Sequence, residues 1–349
     1  MKAYGSSIDN FSSPEEMLAA LRDAIAAHQA VVTRGLFHRD ICHNTILLAV
    51  RGVKAKIGHR GVLMDLDMAI GPVRPESDEF EKRFKLGIVL FQPAIILKAL
   101  SLSDDMKVTI PAHDCLDDVE AFFWLFCYLV FTHNPTGGNG PKNYFHYQIR
   151  KWMNQSNADK SKGLFLLSNS VPAEAKRAMY PGWKEVCMDL FLQFREIVRD
   201  VYSRKECLLY DEPEPLEDGT TPNRFSEVLK DVDDVYKRVL TLFDGALKKA
   251  LDRSVANQLN DGVSIDSTAN PGPIQDAALE QSRVRPRTRS IRRLKSAPEE
   301  VPGGSGSNKR RTMESGNAES PTRPKRACIP SRVPGPSALS QFAVEGNDD

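Results

Sequence analysis

The chain has 349 residues, 41% of them hydrophobic and 27% charged, which allows one large domain or two ordinary ones and excludes collagen-like, wholly disordered and multi-span membrane proteins. The net charge of +1 conceals two unlike regions: from Arg283 to Arg332 fourteen basic residues stand against four acidic ones, whereas residues 1–254 hold 33 basic and 35 acidic. The near-neutral total provides no general attraction to nucleic acid. The N-terminus has no apolar run that could serve as a secretory signal. The six cysteines lie far apart without a C-x-x-C pair, a usage that fits a reducing, intracellular setting.

Residues 1–12 are read as a flexible N-terminus. Ser13 to Ala30 opens on Ser-Pro-Glu-Glu and continues with Met17, Leu18, Leu21, Ile25 and Ala26 at helical spacing, which predicts a helix. Past Gly35 two short apolar segments, Thr45 to Val50 and Val62 to Asp67, flank a Gly-rich basic stretch and predict a two-stranded hairpin. Gly71 to Lys82 is polar and reads as a loop. Asp117 to Phe131, Lys142 to Ser156, Pro172 to Met179 and Trp183 to Val201 read as helices. The apolar run Ala121 to Phe131 (AFFWLFCYLVF) is eleven residues long, where a membrane span needs about 20, so it predicts a buried core helix and no membrane partner. Phe122, Phe123, Trp124, Phe126 and Tyr128 are then core aromatics. Asp211 to Pro222 is an acidic, proline-rich break. Arg224 to Arg253 predicts an amphipathic helix with Phe225, Val228, Leu229, Val232, Val235, Tyr236, Val239, Phe243, Ala246 and Leu247 on one face. After Val255 large apolar residues occur only singly, so residues 255–349 are expected to be a disordered basic tail following a folded region of residues 13–254.

Chemistry concentrates between Leu36 and Met68. His38-Arg39-Asp40 follows a helix and precedes a strand, and Asp65 ends the next strand. A loop acid, a hairpin and a second acid suit phosphoryl transfer, where one carboxylate accepts the proton of an attacking hydroxyl and another holds magnesium on nucleotide phosphates. His43, His59 and His113 read as surface or capping groups, because no second ligand sits at a metal-site spacing.

In this order of motifs the chain resembles the fungal-type protein kinase family of the protein kinase-like superfamily. His38-Arg39-Asp40 resembles the catalytic loop, Asp65-Leu66-Asp67 the Asp-x-Asp version of D-F-G, and Phe84 to Gln92 the end of the activation segment. His113-Asp114 through Leu116-Asp117-Asp118-Val119-Glu120-Ala121-Phe122-Phe123-Trp124 resembles the family's most diagnostic helix. The resemblance implies a mostly α-helical kinase C-lobe with a short hairpin. It implies Asp40 as catalytic base, Asp65 as magnesium ligand, and Arg39 as the receiver of charge from the activation segment. His38 would fix the loop, and Asp118 would have the structural task of accepting its backbone N–H groups. ATP and magnesium are the implied cofactors, and a protein hydroxyl the implied acceptor.

Three departures bear on activity. The second metal-binding Asn of kinases, five residues after the base, is here Thr45, with Asn44 one residue earlier; in an extending chain a one-residue shift points a side chain the other way. A hydroxyl at Thr45 is a poorer magnesium ligand than an amide. The lysine often found two residues after the base is Cys42. Only 37 residues precede His38 and they contain the helix that leads into the loop, so the chain is expected to lack the N-lobe with its Gly-rich loop and phosphate-pairing lysine. Two functions follow: a Ser/Thr-type protein kinase impaired by these changes, or a truncated pseudokinase or kinase fragment that acts as a non-catalytic scaffold.

In the tail, Lys309-Arg310-Arg311 and Arg323-Pro324-Lys325-Arg326 form a bipartite basic pattern that an import receptor would read, with Arg283 to Lys295 as a further cluster; the bland alternative is a solvated charged tail. Aromatic residues are nearly absent there, so base stacking on nucleic acid is not expected. The expected location is nuclear or nucleocytoplasmic. Residues 283–332 fused to a fluorescent reporter are expected to concentrate it in nuclei; an evenly cytoplasmic reporter overturns this reading.

Overall fold

The computed structural model of the chain describes residues 5–50, 52, 55–66, 88–106, 108, 110–140, 143–211 and 223–261. They fall within the unit Met1–Ile265. The Ser-Pro-Glu-Glu signal starts α1 (Pro14–Val32), where Ser13 Oγ accepts from the Glu16 N–H at 3.2 Å and the Glu16 carboxylate accepts from the Ser12 N–H at 2.7 Å. These bonds satisfy donors that the first turn leaves unpaired. Ile8 and Phe11 are buried, Gly5 N–H donates to Leu48 O, and Leu48 N–H donates to Ser6 O. Residues 5–12 thus run along the next strand and into the core, which corrects the expectation of a flexible terminus. The ladder bonds and the Phe11 ring outweigh the chain entropy that would keep a free end mobile.

The hairpin consists of β1 (Ile46–Leu48) and β2 (Gly61–Leu63), antiparallel with Leu47 opposite Val62. Both strands are shorter than expected, and Asp67 lies outside the described residues. The hairpin is fastened to α1 by two devices. A Cβ at Gly61 would sit 2.2 Å from Ala20 O, so only glycine allows this approach. The buried Asp23 carboxylate accepts from the N–H groups of Gly58 and Arg60 and from the Arg60 guanidinium. Burial opposes ionisation of Asp23, but the Arg60 bonds and charge bring its pKa below the usual carboxylate value.

Two helices follow: α2 (Ala94–Met106) and α3 (Cys115–Thr132). The apolar run occupies the middle of α3, whose residues are buried on every side except at half-buried Tyr128. Asp114 caps α3, accepting from the Leu116 and Asp117 N–H groups, while the Asp117 carboxylate accepts from the Asp114 N–H. Around it pack α4 (Tyr144–Trp152), α5 (Ala158–Leu167), α6 (Val171–Ala178) and α7 (Pro181–Leu208). Trp124 meets Trp152 edge to face at 4.8 Å and Phe131 stacks on Phe145 at 4.1 Å. Each such ring taken from water contributes roughly 1.5–3 kcal/mol.

The helix expected from Arg224 to Arg253 is divided into α8 (Ser226–Leu229) and α9 (Val232–Asp261). Of its expected apolar face Phe225, Val228, Val235, Tyr236, Val239, Phe243, Ala246 and Leu247 are buried, Leu229 and Val232 are half-buried, and α9 lies against α1 and α7. Helices α2 and α5 have no counterpart in the sequence reading. The N-terminus of α2 is satisfied from a distance, Ala94 N–H donating to the Glu120 carboxylate at 2.7 Å. The buried Arg195 guanidinium caps α5 by donating to the carbonyls of Phe165, Leu166 and Ser168. Neither device is local in sequence.

The loop expected at Gly71 to Lys82, the acidic segment from 212 to 222 and the chain after 261 lie outside the described residues. Among the described residues no helix is long and apolar enough to cross a membrane, and Cys42, Cys115, Cys127 and Cys187 are buried free thiols.

Gly61→Ala is expected to lower stability in urea unfolding by about 1–3 kcal/mol through the clash with Ala20. Gly245→Ala, at a helical site with open space around it, is the control, with an expected gain of up to about 1 kcal/mol from helix propensity.

Candidate active site

After α1 the chain passes through the loop 37–45 before entering β1, and one carboxylate sets the shape of that loop. Asp118, buried in the first turn of α3, accepts four hydrogen bonds: from the His38 N–H at 2.8 Å, the Arg39 N–H at 2.9 Å, and the ring Nε2 atoms of His28 and His113, each at 2.9 Å. The Arg39 backbone is left-handed, with φ of 69°, a conformation that costs a non-glycine residue roughly 1–3 kcal/mol. Two N–H groups converging on one carboxylate hold it there. Burial opposes the Asp118 charge, yet His113 and His28 bring its pKa well below the usual carboxylate value. His113 is buried too; burial works against its protonation, and the Asp118 charge and hydrogen bond overcome that and raise its pKa. This corrects the reading of His113 as a surface or capping group.

Behind Asp118 stands a support absent from the sequence reading. Tyr236 on α9 lies 2.6 Å from His28 Nδ1 through its hydroxyl, and both residues are fully buried. An ionised carboxylate can only accept, so His28 carries a proton on Nε2. The string Tyr236, His28, Asp118, His38 links α9 to the backbone of loop 37–45. Spacing could not reveal it, since Tyr236 and His28 are 208 positions apart.

His38 joins the two acids. Its Nε2 lies 2.7 Å from Met64 O, a pure acceptor, so Nε2 bears the proton, and Nδ1 accepts from the Asp40 N–H at 3.3 Å. Burial lowers the pKa of His38, which keeps the ring in this neutral form. One imidazole therefore fixes the residue before Asp65 and the backbone of Asp40 together. Asp65 also has a left-handed backbone, with φ of 60°, and is exposed just beyond β2. Asp40 is half-buried; burial pushes its carboxyl pKa up, and the Asp65 and Asp118 charges add to that while His38 opposes it. The two acids expected from the motif are thus brought within electrostatic reach of each other.

Thr45 stands where the kinase resemblance implies a second metal ligand. Thr45 is buried, and its hydroxyl accepts from the Cys42 N–H at 3.0 Å while pointing at the carbonyls of Asp40 and Cys42, each at 3.1 Å. It closes the loop on itself, while Asn44 is exposed. The Cys42 thiol is buried and its pKa raised by that burial, which leaves it protonated. Asp65 nevertheless suits magnesium, which takes one or two protein carboxylates and completes its shell with waters and nucleotide phosphates. Among the described residues no group of three or more His, Cys, Asp or Glu forms a self-sufficient metal site.

Of the expected activation segment, residues 84–87 lie outside the described residues; Ile88 to Gln92 form turns ahead of α2. Lys162 on α5 donates to Val89 O at 3.2 Å and to Gln92 O at 2.5 Å, and its ammonium lies 4.8 Å from the Trp124 ring centre. Glu120, which caps α2, also accepts from the Trp124 indole N–H at 2.8 Å. The turn is therefore anchored to α3 and α5 by side chains that the motif alone does not single out.

Residues 1–130 match the family model described as fungal protein kinase. No curated protein matches the chain. The match takes in loop 37–45, Asp65, and α3 through Val130, the segments that supply Asp118 and, with α1, all four of its hydrogen-bond donors.

The stabilising effect of the raised His113 pKa is fully present below the unfolded value near 6.5 and is lost as pH rises through the higher folded value. His113→Gln is therefore expected to cost more stability in urea unfolding at about pH 5.5 than at about pH 9. An equal cost at both pH values would show that the ring acts by shape alone.

Proposed function

We propose, from the match of residues 1–130 to the fungal protein kinase family model, that loop 37–45, Asp65 and α3 form the phosphotransfer floor of a kinase-like domain, moving the ATP γ-phosphate to a Ser or Thr hydroxyl of a protein. The observation that carries this reading is the His38 ring, which ties the Asp40 and Met64 backbones together and so sets two carboxylates on one small surface. Asp40, whose proton affinity is raised by burial and by Asp65, has the character of a general base. It accepts the proton of the acceptor hydroxyl as that oxygen bonds to the γ-phosphorus and ADP departs. Asp65 is the ligand for magnesium, which when bound neutralises charge on the nucleotide phosphates. Asp118, His28 and His113 touch no reacting atom and position the loop.

A second reading, a kinase-like domain that serves as a scaffold with little or no turnover, is favoured by one observation. The Thr45 hydroxyl, at the position of the second metal ligand, is committed to the loop backbone.

ADP release with a mixed protein acceptor separates the two. Under the first reading Asp40→Asn lowers turnover by about 10²–10⁴-fold, and Asp65→Asn abolishes the thermal stabilisation given by ATP with magnesium. Nucleotide-induced stabilisation without turnover in the unsubstituted chain selects the scaffold. Turnover that survives Asp40→Asn overturns the assignment of the base.

A further inference from the structure

Away from the carboxylates, α4, α5 and the start of α6 enclose an open groove of ≈ 840 Å³. Its walls carry two kinds of side chain that a free surface does not need. Tyr147 on α4 is 58% exposed and Leu164 on α5 is 69% exposed, and both line the groove. Arg150, Lys151 and Lys160 line it as well, and Glu174 is the one acidic side chain among the lining residues. None of the three cations is in an ion pair among the described residues. Along α7 and α9, by contrast, cation and acid are paired repeatedly, as in Arg199 with Glu196, Arg204 with Asp231, Lys249 with Asp189 and Arg253 with Glu185.

Helical spacing makes these residues one surface. Tyr147 and Lys151 are one turn apart on α4, with the Lys151 ammonium 4.8 Å from the Tyr147 ring centre, and Lys160 and Leu164 are one turn apart on α5. Each wall thus presents one exposed apolar group and a neighbouring cation. A net positive groove with an exposed apolar group on each wall selects for negative charge flanking an apolar side chain in its occupant. Nucleic acid fits less well, since a strand of bases requires a row of stacking rings and Tyr147 is the one exposed ring among the lining residues.

We propose that this groove docks an acidic peptide segment of a partner protein, with a leucine or aromatic side chain seated between Tyr147 and Leu164 and flanking carboxylates paired with Arg150, Lys151 and Lys160. The proposal concerns binding and holds whether or not the domain transfers phosphate.

A phage-displayed library of random dodecapeptides panned on the full chain tests it. Enriched peptides are expected to carry acids around a Leu, Phe or Tyr. Fluorescence polarisation of the best of them is expected to show at least a ten-fold loss of affinity in the double variant Arg150→Glu with Lys160→Glu, a several-fold loss in Leu164→Ser, and weakening as salt shortens the Debye length. These side chains are exposed, so a circular dichroism melt matching the parent shows that each variant folds. Absence of enrichment, enrichment of neutral or basic peptides, affinity unchanged in the double variant, or displacement of the peptide by lower concentrations of oligothymidylate would each overturn the proposal.

Discussion

A single buried carboxylate governs the candidate site. Asp118 comes from the most apolar helix of the fold, and removing an ion of that kind from water costs several kcal/mol unless its lone pairs are filled. Here they are filled by two backbone N–H groups and two imidazoles. The same bonds that offset its desolvation force Arg39 into a left-handed conformation and set the direction in which Asp40 leaves the loop. Stability and site geometry are thereby one interaction, and a change that loosens α3 disturbs the loop with it.

The charge around the start of α3 extends below Asp118. Asp114 and Asp117 both accept from the buried Lys205 ammonium, at 2.8 and 2.7 Å. Burial works against the Lys205 charge, but the two acids overcome it and raise its pKa. Burial and Asp117 in turn raise that of Asp114 against the pull of Lys205. A lysine on α7 and a tyrosine on α9 thus converge on the first turn of α3 from helices that follow it in the chain. Buried ionic groups of this sort add little net stability; this one ties the first turn of α3 to α7.

The turn from Ile88 to Gln92 is handled in the same way, through Lys162 and Glu120, the former drawn down to about 7 by burial against the opposing charge of Glu120. Both acid-bearing segments and the start of α2 are consequently referred to α3. This arrangement explains how a hairpin with three residues in each strand can carry two exactingly placed acids, since rigidity comes from the helical core and not from the sheet.

The sequence by itself determined the α1 start, the buried character of α3, the apolar face of α8 and α9, and the acids Asp40, Asp65 and Asp118. Each of these rests on a local pattern: a cap, a period of 3.6 residues, or a short motif between two elements. Tertiary structure alone decided the rest. Helices α2 and α5 escaped the sequence reading because Glu120 and Arg195 cap them from other helices, and residues 5–12 because their partner is a strand that follows only after the whole of α1 and the loop behind it. The roles of His28, His113, Tyr236 and Thr45 depended on which buried atoms meet, and a hydrogen bond between residues 208 positions apart leaves no periodic trace in the chain. Where a residue must be reached from far along the sequence, composition and spacing name the group, and only the fold gives it a partner.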